Sequence, residues 1–337
     1  MNIQKYSVAL LTSFERNKTT SAVSKEANVS QSEGSRFLSK LEVSSSNFIS
    51  NVKSLFGNKP INMVIDDANL CKRYALNTEA VSQIKDQSTK TFANGITILI
   101  GGLTDSKYFL PISLEHWIAE FIMQKAYLKK VTLAIQMIEK VITLGLNIEH
   151  FVLDGLYFAE KFLNFLDSKK LKFVIKAKTT TSVINNGQKI QLKDCRDLRL
   201  NSNQNCKKIQ AEWCGKMWYF IAMRRTGKHG NKIVYLVANF YAKSKTYVKI
   251  YESRWPVEKL IRTCKQKLGL NGSQSQLAKN YLNHIKCVFF AYGILQLIMK
   301  KFKLRSAEEA LTKVQALKWR YHFDEIVDQI SLFTKFA

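Results

Sequence analysis

Tyr251-Glu252-Ser253-Arg254-Trp255-Pro256-Val257-Glu258-Lys259-Leu260-Ile261-Arg262-Thr263-Cys264-Lys265 is the stretch on which the reading of this chain turns. It sets Tyr251, Arg254, Glu258 and Lys265 in the spacing Y-x2-R-x3-E-x6-K. At about 100° per residue of α-helix, Arg254, Glu258, Arg262 and Lys265 fall on one narrow stripe. A carboxylate among three cations does not suit an apolar core. It suits a surface where one acid holds a metal ion while its neighbours hold phosphates. Pro256 has no N–H to lose and belongs in a first helical turn. That predicts a helix starting near Ser253 as N-cap, with Tyr251 just before it. The plainer reading is an exposed charged helix supported by the i,i+4 pair Glu258 and Arg262.

Working outward, two apolar runs end in acids. Pro60-Ile61-Asn62-Met63-Val64-Ile65 leads into Asp66 and Asp67, and His150-Phe151-Val152-Leu153 leads into Asp154. A buried parallel strand delivers carboxylates at its open end in this way. Taken alone, each acid reads first as a turn or cap residue, and only with the Glu258 block as a catalytic one. Thr91–Leu103 and Tyr108–Ser113 read as a hairpin around Thr104–Lys107. Helical periodicity over Tyr127–Leu146 and Phe158–Ser168, with a strand at Lys172–Lys176, completes a β-α-β-type unit with an expected right-handed crossover. Trp213–Arg224 and Ile233–Phe240 are strand-like, with a hairpin turn at Gly227–Gly230.

The four residues Tyr251, Arg254, Glu258 and Lys265, with the Arg254-Trp255-x-Val257-Glu258 run, resemble the third catalytic block of bacterial insertion-sequence transposases of the DDE type. Asp154-Gly155-Leu156-Tyr157 is similar to that family's second block, D-x2-Y/F. The resemblance implies an α/β fold: a ribonuclease-H-like catalytic core with a β-rich insertion before the last catalytic helix, plus a small helical N-terminal domain. It implies Mg²⁺ (or Mn²⁺) held by Asp66, Asp154 and Glu258, and phosphates held by Tyr251, Arg254, Arg262 and Lys265. Hard divalent ions take oxygen ligands, and a pair of them serves in-line displacement at phosphorus. The implied activity is cleavage at transposon ends followed by strand transfer. Enzymes of this kind pass through a hairpin with a flipped base, for which Trp213, Trp218 and Trp255 are candidate stacking partners. The first acid stays open between two residues. First blocks of the family tend to place Thr or Ser two residues after the Asp, whereas Ala68 follows Asp66 and Asn69 follows Asp67 at that spacing. Asp66 follows the apolar run directly and is preferred; Asp67 is the alternative.

Charge agrees with a polyanionic partner. Lys and Arg number 52 against 26 Asp and Glu, a formal net charge of +26. Self-repulsion of that size works against a compact fold unless an anion such as DNA offsets it; a generally lysine-rich proteome is the plain alternative. From Lys207 to Gly269 there are 15 Lys and Arg against Glu212, Glu252 and Glu258, a local +12, which marks the main electrostatic footprint. Near the start, Val23–Leu38 reads as a helix-turn-helix. Asn28 takes the left-handed turn, Ser30 caps a second helix, and Gln31, Ser35, Arg36 and Lys40 face a major groove. Ser24 and Gly34 depart from the motif, where Ala and an apolar residue are usual, and a solvated helical hairpin without DNA contact is the competing reading.

The chain accordingly divides into a helical unit (1–58), the first part of the core (59–176), a β-rich insertion (177–245), the last part of the core (246–303) and a helical tail (304–337). The six cysteines show no zinc-type spacing and read as reduced thiols. Met1–Lys5 lacks a basic-then-apolar leader, and Val288–Met299 is too short to span a bilayer. A cytoplasmic, nucleoid-associated protein acting as a homodimer on double-stranded DNA, without a membrane role, is therefore expected. The rival readings are a ribonuclease-H-like nuclease or resolvase that cuts without strand transfer, and a non-catalytic DNA-binding remnant.

Overall fold

Capping side chains decide where the N-terminal helices begin. A computed structural model describes residues 1–43, 45–73, 75–86, 89–227 and 230–334. Asn2 accepts from the Lys5 N–H to start α1 (Ile3–Thr12), and Thr19 accepts from Ala22 to start α2 (Thr20–Glu26). Asn28 turns the chain with φ 56°, and Ser30 accepts from Glu33 to start α3 (Gln31–Lys40). Gly34 and Ser24 are the small residues that let α2 and α3 approach: a Cβ on Gly34 would lie 2.0 Å from the Ser24 hydroxyl. Both departures from the motif thus have one steric cause. α4 (Ser45–Phe56) follows.

Strands β1 (Ile61–Cys71), β2 (Ser82–Lys85), β3 (Phe92–Thr104) and β4 (Phe109–Trp117) come next, then the short α5 (Glu120–Met123) and α6 (Lys130–Ile142). β5 (Ile148–Leu153), α7 (Glu160–Ser168) and β6 (Phe173–Ala177) form the β-α-β unit, with β5 parallel to both β1 and β6. The segment read as an insertion supplies β7 (Ser182–Asn185), β8 (Gln188–Gln191), β9 (Cys206–Trp213), β10 (Lys216–Gly227) and β11 (Gly230–Ala238). β10 and β11 pair down to Gly227 and Gly230, and the other two residues of that predicted turn lie outside the described residues. These strands do not form a separate sheet. β11 pairs antiparallel with β6, so one sheet runs β2-β3-β1-β5-β6-β11-β10-β9-β7-β8, with β4 also on β3.

Among the described residues five α-helices follow: α8 (Ser244–Glu252), α9 (Trp255–Lys267), α10 (Ala278–Lys301), α11 (Ala307–Ala316) and α12 (Phe323–Thr334). α10 is long and apolar enough to cross a membrane, but 83% of its apolar window is buried inside the protein, as in a core helix. It packs against α1, α3, α4, α11, α12 and β4. Val8, Leu10 and Leu11 of α1 are fully buried, worth about 2 kcal/mol each. Buried apolar residues run as one cluster from Tyr6 to Ile330. One polar chain inside this helical layer is hydrogen-bonded from end to end. The Tyr6 hydroxyl lies 2.8 Å from His284 Nδ1, and His284 Nε2 lies 2.8 Å from the Gly269 carbonyl. A carbonyl only accepts, so Nε2 carries the proton and Nδ1 accepts from Tyr6.

Candidate nucleic-acid-processing site

Side chains of a strand alternate between faces, and β1 uses both. Asn62 and Asp66 point toward the α8–α9 joint, where Asn62 donates to the Ser253 hydroxyl at 3.0 Å and Asp66 meets Arg254. Asp67 points to the other face and pairs with Lys130 of α6 at 2.6 Å. The two acids are therefore separated by the sheet's own periodicity. Neither closes its strand, contrary to the expectation of a strand end: β1 continues to Cys71 against β3. What ends there is the parallel pairing, because β5 stops at Leu153 opposite Ile65. That register sets Asp154, the first residue past β5, beside Asp66.

The α8–α9 joint differs from the expected single helix start. Tyr251 lies in the last turn of α8, and Ser253 closes that helix by donating from its hydroxyl to the Ile250 carbonyl at 2.6 Å. Arg254 takes the N-cap position of α9, with Pro256 in the first turn as expected. The Ser253 hydroxyl prefers the carbonyl end of the preceding helix, and α8 itself was not foreseen. The break points Arg254 inward. Its Nη1 stands 2.5 Å from Asp66 Oδ2 and its Nη2 2.5 Å from Glu258 Oε1. Arg254 and Asp66 are 13% and 14% exposed at their side chains, Glu258 40%. Asp154 accepts from the Tyr251 hydroxyl at 3.4 Å and lies 3.5 Å from Lys176 Nζ.

Electrostatics set Asp66 apart. Burial pushes its pKa up to about 6, Arg254 pulls it down, and Asp67 and Asp154 push it up again. Burial thus outweighs the guanidinium in setting the protonation of Asp66. Tyr157, buried just past Asp154 with an unpartnered hydroxyl, is raised by burial and then by Asp67, Asp66 and Asp154. Among the described residues no three His, Cys, Asp or Glu side chains stand close enough to hold an ion. The expected direct meeting of Asp66, Asp154 and Glu258 is instead a meeting around Arg254, because its guanidinium occupies the space between two of them.

The remaining predicted positions separate. Lys265 donates to the Asn69 carbonyl at 2.8 Å, tying α9 to the second half of β1. Arg262 is exposed on the flank of α9 and interacts with Glu308. In α3, Gln31, Arg36 and Lys40 are exposed and Ser35 is half-buried. Trp213 stacks on Phe158 and Trp218 is buried, whereas Trp255 is 46% exposed with the Arg225 guanidinium 4.7 Å from its ring centroid. Sequence reading missed Lys130, Lys176 and Arg225. The lysines stand beside acids only across the sheet or an α6 contact, and Arg225 reaches Trp255 from a strand 30 positions upstream, so local spacing carries no sign of them.

Residues 114–290, just over half of the chain, match the family described as Transposase DDE domain. Asp154, Tyr251, Arg254, Glu258 and Lys265 lie within the match, while Asp66 and Asp67 precede it. No curated protein matches the chain.

Proposed function

The chain belongs to the transposase DDE-domain family, and from that premise we propose that it cuts double-stranded DNA at the ends of a mobile element and joins it to target DNA by in-line phosphoryl transfer. The observation that carries the reading is the pairing of Asp66 and Glu258 with one arginine, with Asp154 set beside Asp66 by the register of β1 and β5. The strand order β4-β3-β1-β5-β6, antiparallel in its first three members and parallel in its last three, supports a ribonuclease-H-like core. The β7–β11 strands are then the insertion before the last acid.

The donor set fits a hard divalent cation such as Mg²⁺ or Mn²⁺, which prefers carboxylate oxygen. Asp66, Asp154 and Glu258 are the residues that would hold such ions. When bound, they would activate the attacking water or 3′-hydroxyl and stabilise the leaving oxygen. The chain's own cations do the rest. Arg254 offers bidentate contacts to phosphate, Lys176 a point charge beside Asp154, and Tyr251 a hydroxyl that orients Asp154. Lys265 holds α9 against β1 so that Glu258 keeps its place. The basic Lys207–Gly269 segment tracks the DNA backbone. Gln31, Ser35, Arg36 and Lys40 read the terminal repeat from the 1–58 unit, and two copies pair the ends as a homodimer in the bacterial cytoplasm.

The test is cleavage of a duplex carrying the repeats that flank the gene. Asp154→Asn or Glu258→Gln should lower Mg²⁺-dependent cutting by roughly a thousandfold while end binding persists. A variant that cuts at the wild-type rate would sink the assignment. Asp66→Asn should be as inactive as Asp154→Asn, and Asp67→Asn much less so, measured in the same assay. The reverse order would make Asp67 the first acid.

A further inference from the structure

Arg254 is held by both acids at once, each through a different nitrogen of one planar group. While that guanidinium lies between them, Asp66 and Glu258 cannot both turn to the same ion. We propose that Arg254 is the counter-ion that a divalent cation must displace, so that cation entry and the passage of Arg254 to a DNA phosphate are one coupled event. The inference rests on the carboxylate assignment above.

Three features argue for exchange rather than a fixed structural pair. First, the charge count favours exchange. Two carboxylates and one guanidinium leave a net negative charge, which invites a cation, whereas adding a divalent ion beside an unmoved guanidinium would set like charges together. A phosphate offers the departing guanidinium a bidentate acceptor of the same geometry as a carboxylate. Second, Arg254 occupies the N-cap of α9, at the break from α8, so its side chain can swing without disturbing a helical interior. Third, Asp154 already has Lys176 and the Tyr251 hydroxyl as separate partners, so Arg254 alone closes the space between Asp66 and Glu258 among the described side chains. Coupling between two ligands is reciprocal, so the cation should also promote phosphate contact.

The experiment is Mn²⁺ titration of metal-free, full-length protein without DNA, followed by electron paramagnetic resonance of the free ion. Arg254→Gln should bind Mn²⁺ roughly ten- to a hundredfold more tightly than the wild type. Arg254→Lys, whose single ammonium cannot form both contacts with a planar fork, should fall between. It decides the matter alone if Arg254→Gln does not fold. In the reciprocal arm, Ca²⁺ should tighten wild-type binding to the flanking-repeat duplex, and Arg254→Gln should lose that dependence. Unchanged Mn²⁺ affinity in both Arg254 variants, with binding still abolished by Asp154→Asn, overturns this inference and leaves the carboxylates assigned. If Asp154→Asn leaves Mn²⁺ binding untouched, the assignment falls and the coupling with it.

Discussion

The acid-bearing face of β1 and the helical layer around α10 both bury polar groups, but they settle them in opposite ways. In the helical layer, Tyr6, His284 and the Gly269 carbonyl form a neutral chain in which each group has its partner. Around β1, Asp66 and Glu258 share the Arg254 guanidinium, Asp154 has Lys176, and burial holds the Asp66 pKa up despite its arginine. Neutral saturated bonds hold a layer together at little desolvation cost. Half-buried charge pairs add less stability than their attraction suggests, because desolvation offsets much of it.

The contrast breaks most visibly with pH. Burial lowers the His284 pKa to about 4, so the folded state keeps it neutral while the unfolded chain protonates near its ordinary value. Its contribution is present above that ordinary value and is lost as pH falls toward 4, roughly 3 kcal/mol in all. Urea unfolding of wild type and His284→Gln at a series of pH values should show the gap between them shrinking as pH falls from 7 to 4. A constant gap would mean that the ring is not held neutral. Burial also lowers His116 to about 4 and acts with the same sign, which the paired comparison removes.

Asp66 should behave in the opposite sense. Its folded pKa, about 6, lies above the unfolded value, so its contribution is present at low pH and is lost as pH rises from about 4 through 6. In metal-free protein Asp66→Asn should therefore lack a decline of about 2 kcal/mol over that window, while still offering Arg254 an oxygen. Thermal melts in chelator at pH 4.5 and 7.5 check this, and a variant that declines as the wild type does would remove Asp66 as the strained charge. The smallest effect sharpens the neutral side. Tyr6→Phe leaves His284 Nδ1 buried without a donor and should cost about 1–2 kcal/mol of unfolding free energy, with no change in Mn²⁺ binding.

The readable parts of the fold were those governed by neighbours in the chain. Asn28 and Ser30 announced the α2–α3 turn through backbone conformation and capping, both local effects. Apolar runs located β1 and β5, since burial on both faces leaves a continuous hydrophobic signature. Local reasoning was less successful at Ser253, which can cap in either direction, and at the reach of β1, because pairing with β3 prolongs it past its acids. The attachment of the β7–β11 strands to β6 was equally invisible, since nothing in either strand's own sequence names its partner.

By itself, then, the order of residues determined the chemical inventory: the acids after apolar runs, the Tyr251–Lys265 pattern, and the surplus of positive charge. Only the tertiary structure decided how that inventory is shared out. It turned Asp66 toward Arg254 and Asp67 toward Lys130, and brought Lys176 to Asp154. The reason is that strand alternation acts on whichever register the sheet adopts, and register is settled by contacts between segments far apart in the chain.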